Sequence, residues 1–258
     1  MPGTVGPTTG PSSGTTLRGS LRTAVVWSAL RAAVDALARD GDRSLAVVDV
    51  GGGTGGFAVP LAELGHQVTV VDPSPDSLAA LERRAAEAGV SGSVRAVQGD
   101  ATDLDAHVGT QSADVVVCHS VLEVVDDPAA AVAAVAGVLR PGGVLSVLAA
   151  GRAAAAVARA LSGRFDDAAH VLIDSDGRLG ASDPLARRFG DDELVALLGA
   201  AGLQVEIVHG VRVFSDLVAG ALLDDPAAGA SLLALEQAVA ERPEFRTLAT
   251  QLHVLARR

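Results

Sequence analysis

A run of valines that leads into a glycine-rich turn constrains the fold of this chain more than any other feature. Residues 47–56 read VVDVGGGTGG, so five of the six positions after Val50 are glycine. β-Branched residues favour a pleated strand, whereas glycine permits a tight turn and lets a ligand come close to the main chain. A helix that begins after such a turn presents unpaired N–H groups. The stretch therefore predicts a buried strand, a turn and a helix arranged around a nucleotide-like ligand.

The glycine spacing alone does not identify that ligand. Gly51, Gly53 and Gly56 satisfy the dinucleotide pattern G-x-G-x-x-G, while Gly51, Gly53 and Gly55 satisfy G-x-G-x-G. The residues around the turn must decide between the two.

Strand-like segments alternate with segments of helical periodicity along most of the chain. The predicted strands are 45–50, 67–71, 94–97, 113–118, 144–149, 203–208 and 250–256. Helices between the first five strands indicate a parallel, doubly wound arrangement. We therefore predict an α/β, Rossmann-like, mostly parallel seven-stranded sheet, with an antiparallel C-terminal edge strand and an N-terminal capping helix at 21–37.

Composition divides the chain into a tail and one domain. Residues 1–13 are mostly Pro, Gly, Thr and Ser, and so little apolar content predicts a disordered tail. Residues 14–258 are predicted to form a single domain, because an apolar content of 49% for the whole chain supplies a sizeable core. Segment 151–190 interrupts the strand and helix alternation and is predicted to be an insertion or lid, and 215–247 to be a helical insert.

Charge and cysteine content restrict the partners. A net charge of −11 predicts no extensive nucleic-acid surface, since phosphate binding needs positive charge. The single cysteine, Cys118, and a start unlike a signal peptide predict a cytoplasmic protein. Charged residues interrupt the apolar tracts, so no membrane partner is expected, and no metal site is predicted.

Two polar residues follow predicted strands at the edge where ligands bind in open α/β sheets. Asp72 ends the second strand, 21 positions after Gly51, where a carboxylate can accept both hydroxyl protons of a ribose. His119 leaves the fourth strand together with Ser120 and Glu123. Both residues are candidate site residues.

Further motifs favour S-adenosylmethionine over a dinucleotide. Asp49 precedes the first glycine by two residues, where its carboxylate can meet an ammonium group, and a pyrophosphate would give it no partner. Asp100 and Ala101 close the third strand, where an adenine amino group would be recognised, and RPGG at 140–143 precedes the fifth strand. Together these motifs resemble the class I S-adenosylmethionine-dependent methyltransferases over residues 45–150. The resemblance implies S-adenosyl-L-methionine as cofactor and S-adenosyl-L-homocysteine as product.

A narrower resemblance covers nearly the whole chain. It rests on GTT at 14–16, GSLR at 19–22, Trp27, DVGGG at 49–53, GHQV at 65–68, HSVLE at 119–123, LRPGGVLS at 139–146 and GVRVF at 210–214. In these motifs the chain is similar to the bacterial tRNA 5-carboxymethoxyuridine methyltransferase family. The resemblance implies that the cofactor is bound by Arg22, Gly51, Gly52, Asp72, Asp100, Ala101 and His119, and the glycine motif adds Asp49 and Gly53.

The acceptor is less constrained by the sequence. The family resemblance implies a carboxylate on a wobble uridine, and a carboxylate is already a nucleophile that needs no base. Arg212 lies in a shared motif and is the candidate that would hold this carboxylate by two hydrogen bonds, although an ion pair at the sheet edge would also explain it. The family has a lysine-rich stretch where residues 170–178 contain no lysine. Both tRNA and a small acid therefore remain possible acceptors, and a phenol or amine acceptor would need a base such as His119 or His170.

Overall fold

One seven-stranded sheet forms the centre of the computed structural model. The structure describes residues 13–38 and 43–258, and for residues 13–22, 223 and 224 it describes the backbone alone. Its strands are β1 (Ala46–Val50), β2 (Gln67–Asp72), β3 (Val94–Gln98), β4 (Ala113–His119), β5 (Leu139–Ala150), β6 (Gln204–Val211) and β7 (Gln251–Arg257). Their spatial order is β3-β2-β1-β4-β5-β7-β6, and β7 is antiparallel to both of its neighbours. The other adjacent pairs are parallel, so the carboxyl ends of β1 to β6 share one edge with the start of β7.

The predicted fold class is confirmed, and the structure refines the position of the antiparallel strand. β7 lies one place inside the edge, and β6 is the outermost strand. Residues 252–256 of β7 are all buried, whereas the first half of β6 is partly exposed. Because a strand buried along its length needs a neighbour on each side, β7 takes the inner place.

Helices cover both faces of the sheet. They are α1 (Ser13–Ala38), α2 (Ala58–Glu63), α3 (Pro75–Glu87), α4 (Leu104–Val108), α5 (Pro128–Val138), α6 (Arg152–Leu161), α7 (Phe165–Ile173), α8 (Asp191–Ala200), α9 (Pro226–Val239) and α10 (Pro243–Arg246). Residues of α1, α2 and α3 pack on one face, and residues of α4, α5 and α8 pack on the other. Both α3 and α5 begin with a capping side chain followed by proline, as is typical of helix starts.

The N-terminal helix is present and longer than the sequence predicts. It begins at Ser13, the last residue of the predicted tail, and residues 1–12 lie outside the described residues. Its buried residues Val26, Leu30 and Val34 recur at helical spacing and hold it against the sheet. No helix in the described ranges combines the length and apolarity needed to cross a bilayer.

Segment 151–190 contains α6 and α7 and then an irregular chain. The sequence shows no clear period after 163 because α7 is short and residues 174–190 form no helix or strand. Arg187 donates to the carbonyl oxygens of Leu122 and Asp126 at 2.9 and 3.0 Å, and Arg188 pairs with Asp183. The irregular chain is thus tied to the loop that follows β4. A lid function for this segment stays a prediction.

Segment 215–247 contains a short 3₁₀ helix (Gly220–Asp224), α9 and α10.

Candidate active site

The glycine turn after β1 is shaped first by the protein around it. Gly51 has a φ of 65°, and a Cβ there would lie 2.5 Å from Cγ2 of Val121. A Cβ at Gly52 would lie 2.5 Å from Oδ2 of Asp49. Protein side chains therefore already explain the glycines at 51 and 52, and the contact of their backbone with a cofactor stays a prediction.

Gly53 and Asp72 form the open side of this turn. Gly53 has a φ of 53°, and the nearest side-chain atom to a Cβ there would be Oδ2 of Asp72 at 3.9 Å. The same Oδ2 accepts a hydrogen bond from Gly53 N at 2.9 Å, and Oδ1 accepts one from Ser74 N at 2.9 Å. Each carboxylate oxygen has a lone pair left, because an ionised carboxylate has about four acceptor sites. Asp72 can therefore accept two ribose hydroxyls beside an open stretch of backbone.

Two carboxyl groups beside this edge are buried without full hydrogen bonding. Asp49 is 3% exposed, and its Oδ2 has no hydrogen-bond partner. Burial, with a contribution from the charge of Asp72, raises the pKa of Asp49 to about 7. Burial also raises the pKa of Glu123 to about 7, and Oε2 of Glu123 has no partner. A buried, unpaired acid with a raised pKa is typical of a binding or catalytic site.

His119 ends β4 at the same edge. Its Nε2 lies 2.8 Å from Oγ of Ser146, and its ring meets Phe57 edge-on with centroids 4.5 Å apart. Nδ1 of His119 is buried and has no hydrogen-bond partner. Burial lowers the pKa of His119 to about 3, so the ring is neutral at physiological pH.

Asp100 and Ala101 follow β3, two strands away from β1, at the same edge. Oδ1 of Asp100 accepts hydrogen bonds from N and Oγ1 of Thr102 at 2.9 and 2.8 Å. These bonds lower the pKa of Asp100, and the bond from the backbone N–H of Thr102 has the largest effect. Ala101 is buried. Both residues follow β3, as the sequence predicts, and their contact with an adenine stays a prediction. Arg22 lies on α1, but its side chain is outside the described part of the chain, so its contact with the cofactor stays a prediction.

Arg212 follows the last residue of β6 and therefore also lies at this edge. It has a φ of 60°, which is uncommon for any residue except glycine and is found at binding sites. Its Nη2 donates to Oδ1 of Asp216 at 2.7 Å, and its Nη1 lies 3.5 Å from Oε1 of Gln251. The Nε of Arg212 is buried without a partner. The ion pair predicted as one explanation of Arg212 exists, and one N–H of the guanidinium is left unpaired.

Glu236 on α9 fixes the chain next to Arg212, and the sequence analysis missed it. Its carboxylate is 1% exposed and accepts hydrogen bonds from the backbone N–H groups of Val213, Phe214 and Ser215 at 2.7 to 2.9 Å. A carboxylate with several N–H donors holds a loop firmly. The sequence does contain a signal, since positions 232, 236 and 239 share the buried side of α9 and only 236 is charged.

Comparisons with known proteins agree with this geometry. A family model described as "Methyltransferase domain" matches residues 48–147. The chain is 32% identical over 245 residues to the tRNA 5-carboxymethoxyuridine methyltransferase of Escherichia coli K12, covering 94% of this chain and 90% of the relative. It is also 37% identical over 165 residues to a ubiquinone biosynthesis O-methyltransferase of Xanthomonas axonopodis pv. citri, covering 64% of this chain and 65% of the relative. The chain belongs to the class I S-adenosylmethionine-dependent methyltransferases.

Solved structures show the same fold. An S-adenosylmethionine-dependent methyltransferase from Mesorhizobium loti superimposes with a TM-score of 0.62 at 23% identity, covering 92% of this chain and all of that one. The magnesium protoporphyrin IX methyltransferase of Synechocystis, solved with S-adenosylhomocysteine, gives a TM-score of 0.60 at 16% identity and covers 97% and 90% of the two chains. The protein therefore has the Rossmann-like fold of these structures.

The residues present fit this cofactor. Asp72 offers two acceptor oxygens beside the open backbone at Gly53, and Asp49 offers a buried carboxylate oxygen that lacks a donor. A ribose and an ammonium group would supply the missing donors. Within residues 13–38 and 43–258, no group of three metal-binding side chains lies close enough together to hold a metal ion.

Cofactor affinity is expected to rise with pH up to about pH 7, the pKa of Asp49. If the ammonium group of the cofactor binds the ionised carboxylate of Asp49, as the sequence predicts, binding below pH 7 must release the proton that burial keeps on this residue. Affinity for S-adenosylhomocysteine should therefore increase about tenfold per pH unit below that pKa and level off above it. Isothermal titration calorimetry in buffers of different ionisation enthalpy measures both the affinity and the released proton.

Asp49→Asn is the control that separates Asp49 from Glu123, whose pKa is also about 7. The variant should bind more weakly and lose the pH dependence. It should also unfold at a higher temperature than the unliganded wild type at pH 8, because a raised carboxyl pKa removes stability as pH rises from about 4 to 7. A wild-type affinity that does not change with pH would remove Asp49 from the ammonium site.

Proposed function

We propose that this methyltransferase esterifies a carboxylate, with the carboxymethoxyuridine of a tRNA as first candidate. The observation that carries the proposal is the place of Arg212, at the carboxyl edge of the sheet with one buried N–H unpaired. The tRNA 5-carboxymethoxyuridine methyltransferase that resembles the chain along nearly its full length supports the acceptor class. The S-adenosylmethionine cofactor supplies an electrophilic methyl group when bound.

The work left to the protein is to hold and align the acceptor. A carboxylate is ionised at neutral pH, so methylation needs alignment and exclusion of water more than it needs a base. Arg212 would hold the carboxylate, while Asp216 and Glu236 fix the guanidinium and the loop that carries it. A planar guanidinium suits this task, because it can form two parallel hydrogen bonds to one carboxylate.

A second candidate acceptor is a small molecule whose acceptor atom carries a proton, such as a hydroxyl group. The observation that favours it is the buried and unpaired Nδ1 of His119 at the same edge. A net charge of −11 also disfavours a long polyanion. The relatives named ubiquinone biosynthesis O-methyltransferases support this class over part of the chain.

Methyl-labelled S-adenosylmethionine added to total RNA, and separately to a metabolite extract, distinguishes the two acceptors. The first candidate predicts label in the RNA that mild alkali removes, because a methyl ester is hydrolysed while an ether or an N-methyl group is stable. Heat-inactivated protein is the control. Label that appears only in small molecules and survives alkali would replace the first candidate with the second.

A further inference from the structure

A line of hydrogen-bonded side chains crosses four neighbouring strands. Nε2 of His119 lies 2.8 Å from Oγ of Ser146, and that hydroxyl lies 2.9 Å from Nε2 of His253. Nδ1 of His253 lies 3.2 Å from Nδ1 of His209, whose Nε2 lies 3.9 Å from Oε1 of Glu241. This path connects β4, β5, β7 and β6 from the candidate active site to an exposed carboxylate.

The strand register places these side chains on one face. Leu148 of β5 pairs with His119 on one side and His253 on the other, and His253 pairs with His209. Residues opposite each other in a sheet point to the same face. Leu148 packs against Val25 of α1, so α1 covers the middle of the line. The polar path is therefore enclosed in an apolar layer between the sheet and α1.

Each of the three histidines holds one proton at neutral pH. Burial lowers the pKa of His119 to about 3 and lowers the pKa of His253 well below its ordinary value. Burial also lowers the pKa of His209, although Glu241 opposes this shift. A neutral imidazole has one donor and one acceptor nitrogen, so the hydrogen bonds along the line all point in the same direction when the Ser146 hydroxyl donates to one histidine and accepts from the other.

Two directions are possible. In the outward direction His119 donates through Nε2 to Ser146, which donates to His253, which donates to His209, and His209 presents its Nε2–H to Glu241. In the inward direction every bond is reversed, and His119 carries its proton on Nδ1. The outward direction leaves a lone pair on Nδ1 of His119, and the inward direction leaves an N–H there.

Both ends of the line favour the outward direction. The carboxylate of Glu241 attracts an N–H on Nε2 of His209. The other charged groups of the groove in which His209 lies are Glu206 and Arg257, which pair with each other at 2.6 Å. At the inner end Nδ1 of His119 is buried without a partner, and an orphaned buried N–H is rarer than an orphaned acceptor.

We propose that His119, Ser146, His253 and His209 form a proton relay through which His119 takes a proton from a methyl acceptor. The acceptor's O–H or N–H proton bonds to Nδ1 of His119, and the Nε2 proton passes to Ser146. The hydroxyl proton of Ser146 passes to His253, and the Nδ1 proton of His253 passes to His209. His209 releases its Nε2 proton to Glu241 or water, and the acceptor keeps the electron pair that bonds to the methyl group.

The relay explains how a buried histidine can be a base. Isolated protonation would create a buried cation, which the low pKa of His119 disfavours. With the relay one proton enters as another leaves, so no charge stays in the apolar layer. This inference rests on the second acceptor class proposed above, but the proton positions can be measured without any acceptor.

Nuclear magnetic resonance of protein with isotope-labelled histidine tests the direction of the line, since the nitrogen shifts show which ring nitrogen carries the proton. Wild-type protein should have His119 protonated on Nε2. Glu241→Arg should favour a lone pair on Nε2 of His209 and so move the proton of His119 towards Nδ1, with a several-fold change in the tautomer ratio. Glu244→Arg makes the same charge change on an exposed residue and should leave His119 unchanged.

Ser146→Ala breaks the line at its second member. In the Glu241→Arg, Ser146→Ala double variant the tautomer ratio of His119 should no longer respond to the charge change at position 241. Label transfer to alkali-stable acceptors by this variant should fall about 100-fold, while its affinity for S-adenosylhomocysteine is kept. An Nδ1 proton on wild-type His119, or no response of His119 to Glu241→Arg, would overturn the relay. Neither result would bear on the carboxylate function, which the RNA experiment tests by itself.

Discussion

Replacing Asp72 with alanine is expected to weaken binding of S-adenosylhomocysteine about 10- to 100-fold, the effect of leaving buried hydroxyl groups without an acceptor. The substitution would remove the predicted partner of two ribose hydroxyls, and it also frees the N–H groups of Gly53 and Ser74, each bound to the carboxylate at 2.9 Å. Part of the loss should therefore come from a looser glycine turn. Calorimetric titration with S-adenosylhomocysteine measures the change.

Two matched variants separate the causes. Asp72→Asn keeps one acceptor oxygen and should fall between alanine and wild type. Asp76→Ala removes the same charge from an exposed position on α3 and should leave the affinity unchanged. An Asp72→Ala protein with the wild-type dissociation constant would exclude Asp72 from the ribose site.

The parts of the site that follow from local spacing could be predicted from the sequence. Asp49 and Asp72 flank the glycine turn at fixed distances along two strands, and parallel pairing brings both strand ends to one edge. His119 leaves β4 at that same edge for the same reason. The residue pattern of each strand and the right-handed connection between parallel strands therefore determine these positions, and no contact between distant parts of the chain has to be known.

The parts that depend on the placement of β7 could not be predicted. Ser146 and His253 are 107 residues apart and meet only because β7 inserts antiparallel between β5 and β6. In the sequence Ser146 and His253 are each flanked by apolar residues, and this pattern does not indicate a partner for either. The same holds for Glu236, whose charge on the buried side of α9 indicates a hidden contact without identifying the loop that it binds.

The strength of Arg212 as an acceptor anchor depends on its ion pair. Asp216 lies four residues on and neutralises part of its charge, with Nη2 and Oδ2 2.6 Å apart. The pair is partly buried, so it fixes the guanidinium more than a solvated pair would. The Nε–H group of Arg212 is buried without a partner, so the guanidinium still has one donor that an acceptor can use. An anionic acceptor would complete this donor set, and the positive charge of Arg212 would offset locally the repulsion that the net charge of −11 exerts on such an acceptor.

Arg212→Ala is expected to lower kcat/KM for a carboxylate acceptor about 10- to 100-fold, the range of a lost charge-assisted hydrogen bond. Arg212→Lys keeps the charge but not the planar fork, so it should recover only part of this loss. The affinity of both variants for S-adenosylhomocysteine should stay within about twofold of the wild-type value, because Arg212 is assigned to the acceptor. Arg31→Lys, which alters a solvent-exposed i, i+4 ion pair on α1, should change neither quantity. Wild-type turnover of the labelled acceptor by Arg212→Ala would remove both the anchor and the carboxylate argument that rests on it.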